Sequence, residues 1–402
     1  MKIIDLSDYP VVDDHCHPFL PSMEPKLFAQ NFNWSSIFPP VPVEQTEDLI
    51  LYRRTISELA RFLGLSKTNS QEIVAMRNEK YRREPKEYIS RLFQDASIDC
   101  LIFETGYPSE EKVQAGFVSH AVDPAELQRL LPCNFKRIFR LERLIDLLFQ
   151  DAHLGFDDML NKYDDSLQGA ITHEGYIGFK SIIAYGYGLD IQDRLVQDAR
   201  DTYNELKEKG RLALPLKEKE ETVLRKEKVL RDFLIFRGIE KSAQLNVPFH
   251  IHTGFGTSPI ISIARCNPLL LCDALKNDKL RKARIVLLHA GYPYVEEVGY
   301  LANQFPNVYV DMSVVIPFAY PAIKSKVVEL LEMTPTTKLL YGSDGYNIPE
   351  LFWISAILGK EALSAVLGEM VTLGTLDEDY AYKVASRVLH ENAEQLYRAL
   401  HT

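Results

Sequence analysis

Short apolar runs recur along the chain, each closing on a polar or glycine-containing turn. Between them lie longer segments with apolar residues at three- and four-residue spacing. The short runs read as buried strands. They fall at 9–15 (YPVVDDH), 98–107 (IDCLIFETGY), 135–142 (FKRIFRLE), 176–185 (YIGFKSIIAY), 247–254 (VPFHIHTG), 284–293 (RIVLLHAGYP), 307–313 (NVYVDMS) and 337–344 (TKLLYGSD). The longer segments read as amphipathic helices. Eight strand–helix units in succession predict an α/β chain folded as a distorted (β/α)8 TIM barrel, with its chemistry at the C-terminal ends of the strands. Two stretches, about 20–95 and 190–245, are richer in charge and read as helical insertions in a single barrel domain over 1–402. The first opens with an aromatic, proline-rich loop, FNWSSIFPPVP. The charge runs in both are expected to form solvated helix faces.

The polar residues at the ends of these runs carry the candidate chemistry. His15 and His17 stand two apart at the end of the first run, so in a strand they share a face, with Asp13 below them and Cys16 turned the other way into the core. The fourth run carries Lys180, the fifth His250 and His252, the sixth ends in His289 and the eighth in Asp344. A barrel brings such ends together. Imidazole and carboxylate donors suit zinc first, with manganese or iron as alternatives. A position left open on the ion would let a water lose its proton near neutral pH, with Asp344 placed to hold it. His250, one pleat deeper than His252, reads as a core or supporting histidine. Arg140 and Glu142, closing the third run, read as substrate contacts or a buried ion pair. Tyr185 and Tyr187 read as pocket lining or loop packing. Glu104 and Asp311 end the second and seventh runs and read as supporting acids.

Composition narrows the class. The 402 residues are 46% hydrophobic, ample for a packed core, and the net charge of −10 without a basic stripe argues against a nucleic-acid partner. Five scattered cysteines and no CxxC fit a reduced, intracellular protein. No apolar run reaches about 18 residues, so no membrane association is expected and a cytoplasmic location is.

The motifs DDHCHP, GFKSIIAYGYGLD, FHIHTGFG, LLHAGYPYVEEVGYLANQFPNVYVDMS, LLYGSDGYNIPE and HENAEQLYRAL resemble the amidohydrolase superfamily, most closely its amidohydrolase-2 branch. The second half is similar to an amidohydrolase-type domain that in some proteins is fused to a glutamine-synthetase-like domain; no such second domain is expected within these residues. The resemblance implies that His15, His17, His252 and Asp344 are metal ligands. It implies that His289 is either a ligand of a second ion or a catalytic acid or base. Lys180 then becomes a carboxylated bridge between two ions, binds a substrate carboxylate or has a plain structural role, and Arg140 and Tyr185 stay the candidate substrate contacts named above. The activity implied is hydrolysis of an amide, lactone or ester C–N or C–O bond in a small molecule by metal-activated water, using one or two divalent ions. In it Asp344 moves the proton and His289 stabilises the oxyanion or protonates the leaving group. Non-oxidative decarboxylation of an unsaturated or aromatic acid at the same site is the chemical alternative, and a catalytically silent, ligand-sensing barrel the other. A homodimer is expected.

Overall fold

A computed structural model describes residues 2–19, 28–33, 41–65, 69–106, 124–214, 216–257 and 261–397. All eight expected strands are present. They are β1 (Val11–Cys16), β2 (Ile98–Glu104), β3 (Asn134–Arg140), β4 (Tyr176–Ser181), β5 (Phe249–His252), β6 (Ile285–Leu288), β7 (Val308–Asp311) and β8 (Leu339–Leu340). They follow one another in chain order in one eight-stranded sheet, with parallel pairing, and helices separate them: a distorted (β/α)8 barrel.

Several strands stop short of the apolar runs that announce them. β4 ends at Ser181 because the next amides are diverted: Ile182 N donates to Glu142 Oε1 (2.8 Å) and Ile183 N to Ser181 Oγ (3.1 Å). β8 has two residues only, yet the chain beyond it continues along β1. Asp14 N donates to Tyr341 O and Asp344 N to His15 O (both 2.9 Å), and His17 N donates to Gly345 O (2.8 Å).

Contacts group the chain into two compact units, Met1–Lys136 with Asp311–Gln395, and Arg137–Val310 with Leu396–Thr402. The first holds β1, β2, β8 and the helices of the first charged stretch: α1 (Ile50–Leu63), α2 (Ser70–Arg83) and α3 (Pro85–Asp95). α1 buries Leu51, Tyr52, Thr55, Ile56 and Leu59, a helical stripe, and stops at Gly64 in the left-handed conformation. α2 starts where the Asn69 side chain accepts from Glu72 N, and α3 starts with Pro85 in its first turn. The aromatic loop read at 32–42 lies mostly outside the described residues. The second unit holds α4 (Leu141–Gln150), α5 (Phe156–Thr172), α6 (Val196–Glu208) and the 25-residue α7 (Glu221–Leu245). Back in the first unit, α8 (Pro349–Thr372) is long and apolar, but 78% of its most apolar window is buried inside the protein, which makes it a core helix.

The expectation that the charge runs are solvated is corrected at five residues. Arg77, Lys219, Glu227, Arg231 and Asp232 are buried. Arg77 grips Glu350 at the start of α8 with both Nε (2.5 Å) and Nη2 (2.8 Å), beside the hydroxyl of Tyr88, which reaches the same carboxylate (2.7 Å). Glu227 takes Arg231 Nε (2.7 Å), Tyr187 OH (2.8 Å) and Lys219, while Asp232 takes Arg194 (3.0 Å) and Lys228 (2.6 Å). A charge is tolerated in such surroundings only when paired and hydrogen-bonded, a condition that one-dimensional spacing does not reveal.

Candidate metal centre

In the first unit, β1 and the segment after β8 build one cluster. His15 and His17 project from the same strand face, ring centroids 5.1 Å apart. Both Nε2 atoms approach a single oxygen, Asp344 Oδ1, at 3.4 and 3.2 Å. All three side chains are buried. Two imidazole nitrogens and a carboxylate oxygen at such separations match donors around one ion with bonds of about 2.0–2.2 Å, so the residues fit a divalent metal. The opposite nitrogen of His17, Nδ1, lies 3.4 Å from Glu104 Oε2, and Glu104 is anchored by the Gly106 amide at the end of β2. A carboxylate behind a ligating histidine fixes its ring and tautomer. Glu104, which closes the second run, thus stands directly behind His17.

Asp344 is held by its backbone. Its φ is +51°, its N donates to His15 O, and the neighbouring Ser343 N donates to Asp13 Oδ1 (2.9 Å) while Ser343 Oγ donates to Asp13 Oδ2. Burial pushes the Asp13 carboxyl up to about 8, and the nearby Asp311 adds to the rise. Gly342 is obligatory here, since a Cβ would meet Asp311 Oδ2 at 1.9 Å. The Asp13–Ser343 clamp was not among the expected functional residues. Its sequence signal is an acid one strand period before His15. Cys16 lies in the core as expected, its thiol 3.5 Å from Ile102 O and pushed well up by burial.

In the second unit, β5 and β6 build another cluster. His289 Nε2 lies 2.9 Å from His252 Nδ1, and the rings are 4.4 Å apart. Two imidazole nitrogens at that distance either share a proton or face one ion. The loops that carry them touch. Gly254 (φ +67°) has no room for a Cβ, which would lie 2.3 Å from Gly291 and Tyr292 backbone atoms. Its N donates to Cys266 O (2.8 Å) and Phe255 N donates to Tyr292 O (2.7 Å). His289 itself is at φ +66°. Left-handed backbone at non-glycine residues concentrates where function requires it, and both His289 and Asp344, the two candidate catalytic residues, have it.

The remaining candidates sort as follows. Tyr185 packs its ring 4.7 Å from that of His252, and its hydroxyl accepts from Thr257 N (3.3 Å). His250 is buried: Nε2 is 2.6 Å from Tyr397 OH, and burial, then the Lys180 charge, drive its pKa down to about 3. Lys180 is buried on β4, opposite Arg140 on β3 and His250 on β5. Glu142 spends one oxygen on Ser181 Oγ (2.6 Å) and Ile182 N, which makes it an anchor of the β4 terminus, and burial raises its pKa. Tyr187 donates to Glu227 and is packing, not pocket lining.

Known proteins resemble this chain in sequence and in fold. The amidohydrolase family model matches residues 213–399. Protein fluG of Emericella nidulans is 27% identical over 417 residues, covering 98% of this chain and 46% of that protein, so the chain spans about half the length of this curated relative. A solved structure from Lactobacillus casei ATCC 334, provisionally assigned as a metal-dependent hydrolase, is 25% identical, covers 98% of both chains and superposes with a TM-score of 0.82. Uronate isomerase of Thermotoga maritima shares the fold alone, at 14% identity, 97% and 95% coverage and a TM-score of 0.64. Residues 213–399, just under half of the chain, match the amidohydrolase family model, and the fold is a distorted (β/α)8 TIM barrel like that of these solved structures.

Proposed function

We propose that this protein is a metal-dependent hydrolase that cleaves a C–N or C–O bond of a small amide, lactone or ester. The observation that carries the reading is the convergence of His15 Nε2 and His17 Nε2 on Asp344 Oδ1 within 3.4 Å. When bound, a divalent ion, zinc first, supplies a Lewis acid that polarises the carbonyl and makes water nucleophilic near neutral pH. His15 and His17 bind it through Nε2, with Glu104 holding His17 in place. Asp344 takes the proton of the attacking water and returns it. In the second unit, His252 and His289, 2.9 Å apart at the ends of β5 and β6, are the candidates for a further ligand and for a proton donor to the leaving group.

The barrel alone does not select a reaction, because uronate isomerases share it. The test is elemental analysis followed by a screen of amides, lactones, esters and aromatic acids. The expected result is one or two divalent ions per chain and turnover of at least one hydrolysable compound, both lost in His15→Ala/His17→Ala while the circular dichroism is kept. Carbon dioxide release with no hydrolysis would replace this reading with a decarboxylase. A protein that neither carries nor titrates metal would overturn it.

A further inference from the structure

A pocket of about 290 Å³ opens in the second unit beside α7, where the chain enters α6. One side of it is a stripe of α7: Phe233, Phe236, Arg237 and Glu240 stand at positions i, i+3, i+4 and i+7, which share a helix face. Residues 193–196 and Lys279 complete the lining. None of these residues belongs to the candidate metal centre.

The charges in this pocket are not equally engaged. Each cation has a carboxylate of its own. Arg194 donates to Asp232 Oδ2 from Nε (3.2 Å) and Nη2 (3.0 Å), Arg237 Nε donates to Asp164 Oδ1 (2.7 Å), and Lys279 Nζ donates to Asp193 Oδ2 (2.7 Å). Glu240 differs. It is half-buried, and among the described residues no hydrogen bond or ion pair reaches its carboxylate. Burial raises its pKa; Lys279 and Arg237 oppose the rise and Asp193 adds to it. An anion entering here would have to displace a carboxylate from a closed pair, whereas a cation meets a carboxylate that is open.

The rest of the lining suits a cation with an apolar body. Lys279 Nζ stands 5.8 Å from the centroid of the Phe236 ring, within the range at which a ring face attracts an ammonium. Phe233 is half-buried. Leu195 and Val196 are 70% and 49% exposed, so apolar surface there is left for a ligand to cover. The volume is at the small end for ligand pockets, which calls for a compact occupant.

We propose that this pocket binds a small organic cation, a primary ammonium on an alkyl or aryl body, with the ammonium on Glu240 and the body against Phe233, Leu195 and Val196. The site shares no residue with the hydrolase reading and stands or falls apart from it.

The test is calorimetric titration of the full chain with 2-phenylethylamine and hexylamine, against 2-phenylethanol, 1-hexanol and 3-phenylpropionate. The amines should bind at least about ten-fold more tightly than the alcohols and the acid, the scale of one charge-assisted contact. Glu240→Gln should weaken the amines by about ten-fold or more and leave the alcohols unchanged, with the melting temperature kept. Leu195→Ser, at an exposed position, should weaken amines and alcohols alike. Treatment with a chelator should leave amine binding intact; its loss with the metal would place the amine on an ion and overturn the proposal. Equal affinity for amines and alcohols overturns it too, as does tighter binding of the acid, wild-type amine affinity in Glu240→Gln, or no binding of either amine. The comparison of amines with alcohols needs only the wild-type chain, so it decides even if a variant fails to fold.

Discussion

Asp344 occupies a left-handed backbone position, φ +51°, and that decides which substitution reads its chemistry. Asn tolerates this region about as well as Asp, whereas Ala does not. Asp344→Asn should therefore leave the fold nearly untouched, lower metal affinity slightly and reduce kcat by about 10²–10⁴-fold, the range of a lost general base. Asp344→Ala should show the same kinetic loss plus a destabilisation of about 1 kcal/mol from backbone strain. Wild-type kcat in a metal-replete Asn variant would assign the proton to another group. Glu104→Gln should weaken metal binding by about 10–100-fold, measured by competition with a chelator, because His17 loses the carboxylate that orients it. Position at the strand ends made His15, His17, His252, His289 and Asp344 candidates, since side-chain direction in a strand follows from position. The sign of φ at His289 and Asp344 has no such periodic signal.

At the scale of elements, all eight strands were legible because a buried parallel strand is a short uninterrupted apolar run. Their ends were not, because Glu142 and the β1 backbone capture amides that local sequence offers to a strand. The buried charges were least legible. Arg77 and Glu350 are 273 residues apart in sequence, and nothing near either one names the other. Their pair ties the helices of the first insertion to the N-terminus of α8, six residues beyond Asp344. Arg77→Ala leaves Glu350 buried without its guanidinium and should cost about 3–5 kcal/mol in urea unfolding. Replacing both partners, Arg77→Met with Glu350→Leu, should recover much of that loss. A single variant as stable as wild type would mean that Tyr88 alone satisfies Glu350.

At the scale of the whole molecule, one buried lysine marks stability with a pH signature. Lys360 Nζ donates to Ser7 O (2.8 Å) and Ala96 O (3.0 Å), and burial lowers its pKa from 10.5 to about 8 against the opposing charges of Asp8 and Asp95. Below pH 8 both folded and unfolded chains hold the proton, and the penalty of burying the charge is constant. Between about 8 and 10.5 the unfolded chain binds more protons than the folded one, so this group makes stability rise with pH. The melting temperature of Lys360→Met minus that of wild type should therefore fall across that window, and a difference that is flat with pH would show Lys360 titrating normally. Function has its own large-scale requirement. The loops after β5 and β6 touch at Gly254 and Gly291 so closely that neither has a gap to move into. In deuterated buffer the amides of Gly254, Phe255 and Tyr292, bonded to Cys266, Tyr292 and His289 carbonyls, should then exchange at one common slow rate, as a single opening unit. Whatever molecule reaches His252 and His289 meets backbone already packed together at Gly254 and Gly291, and selectivity there should follow that shape.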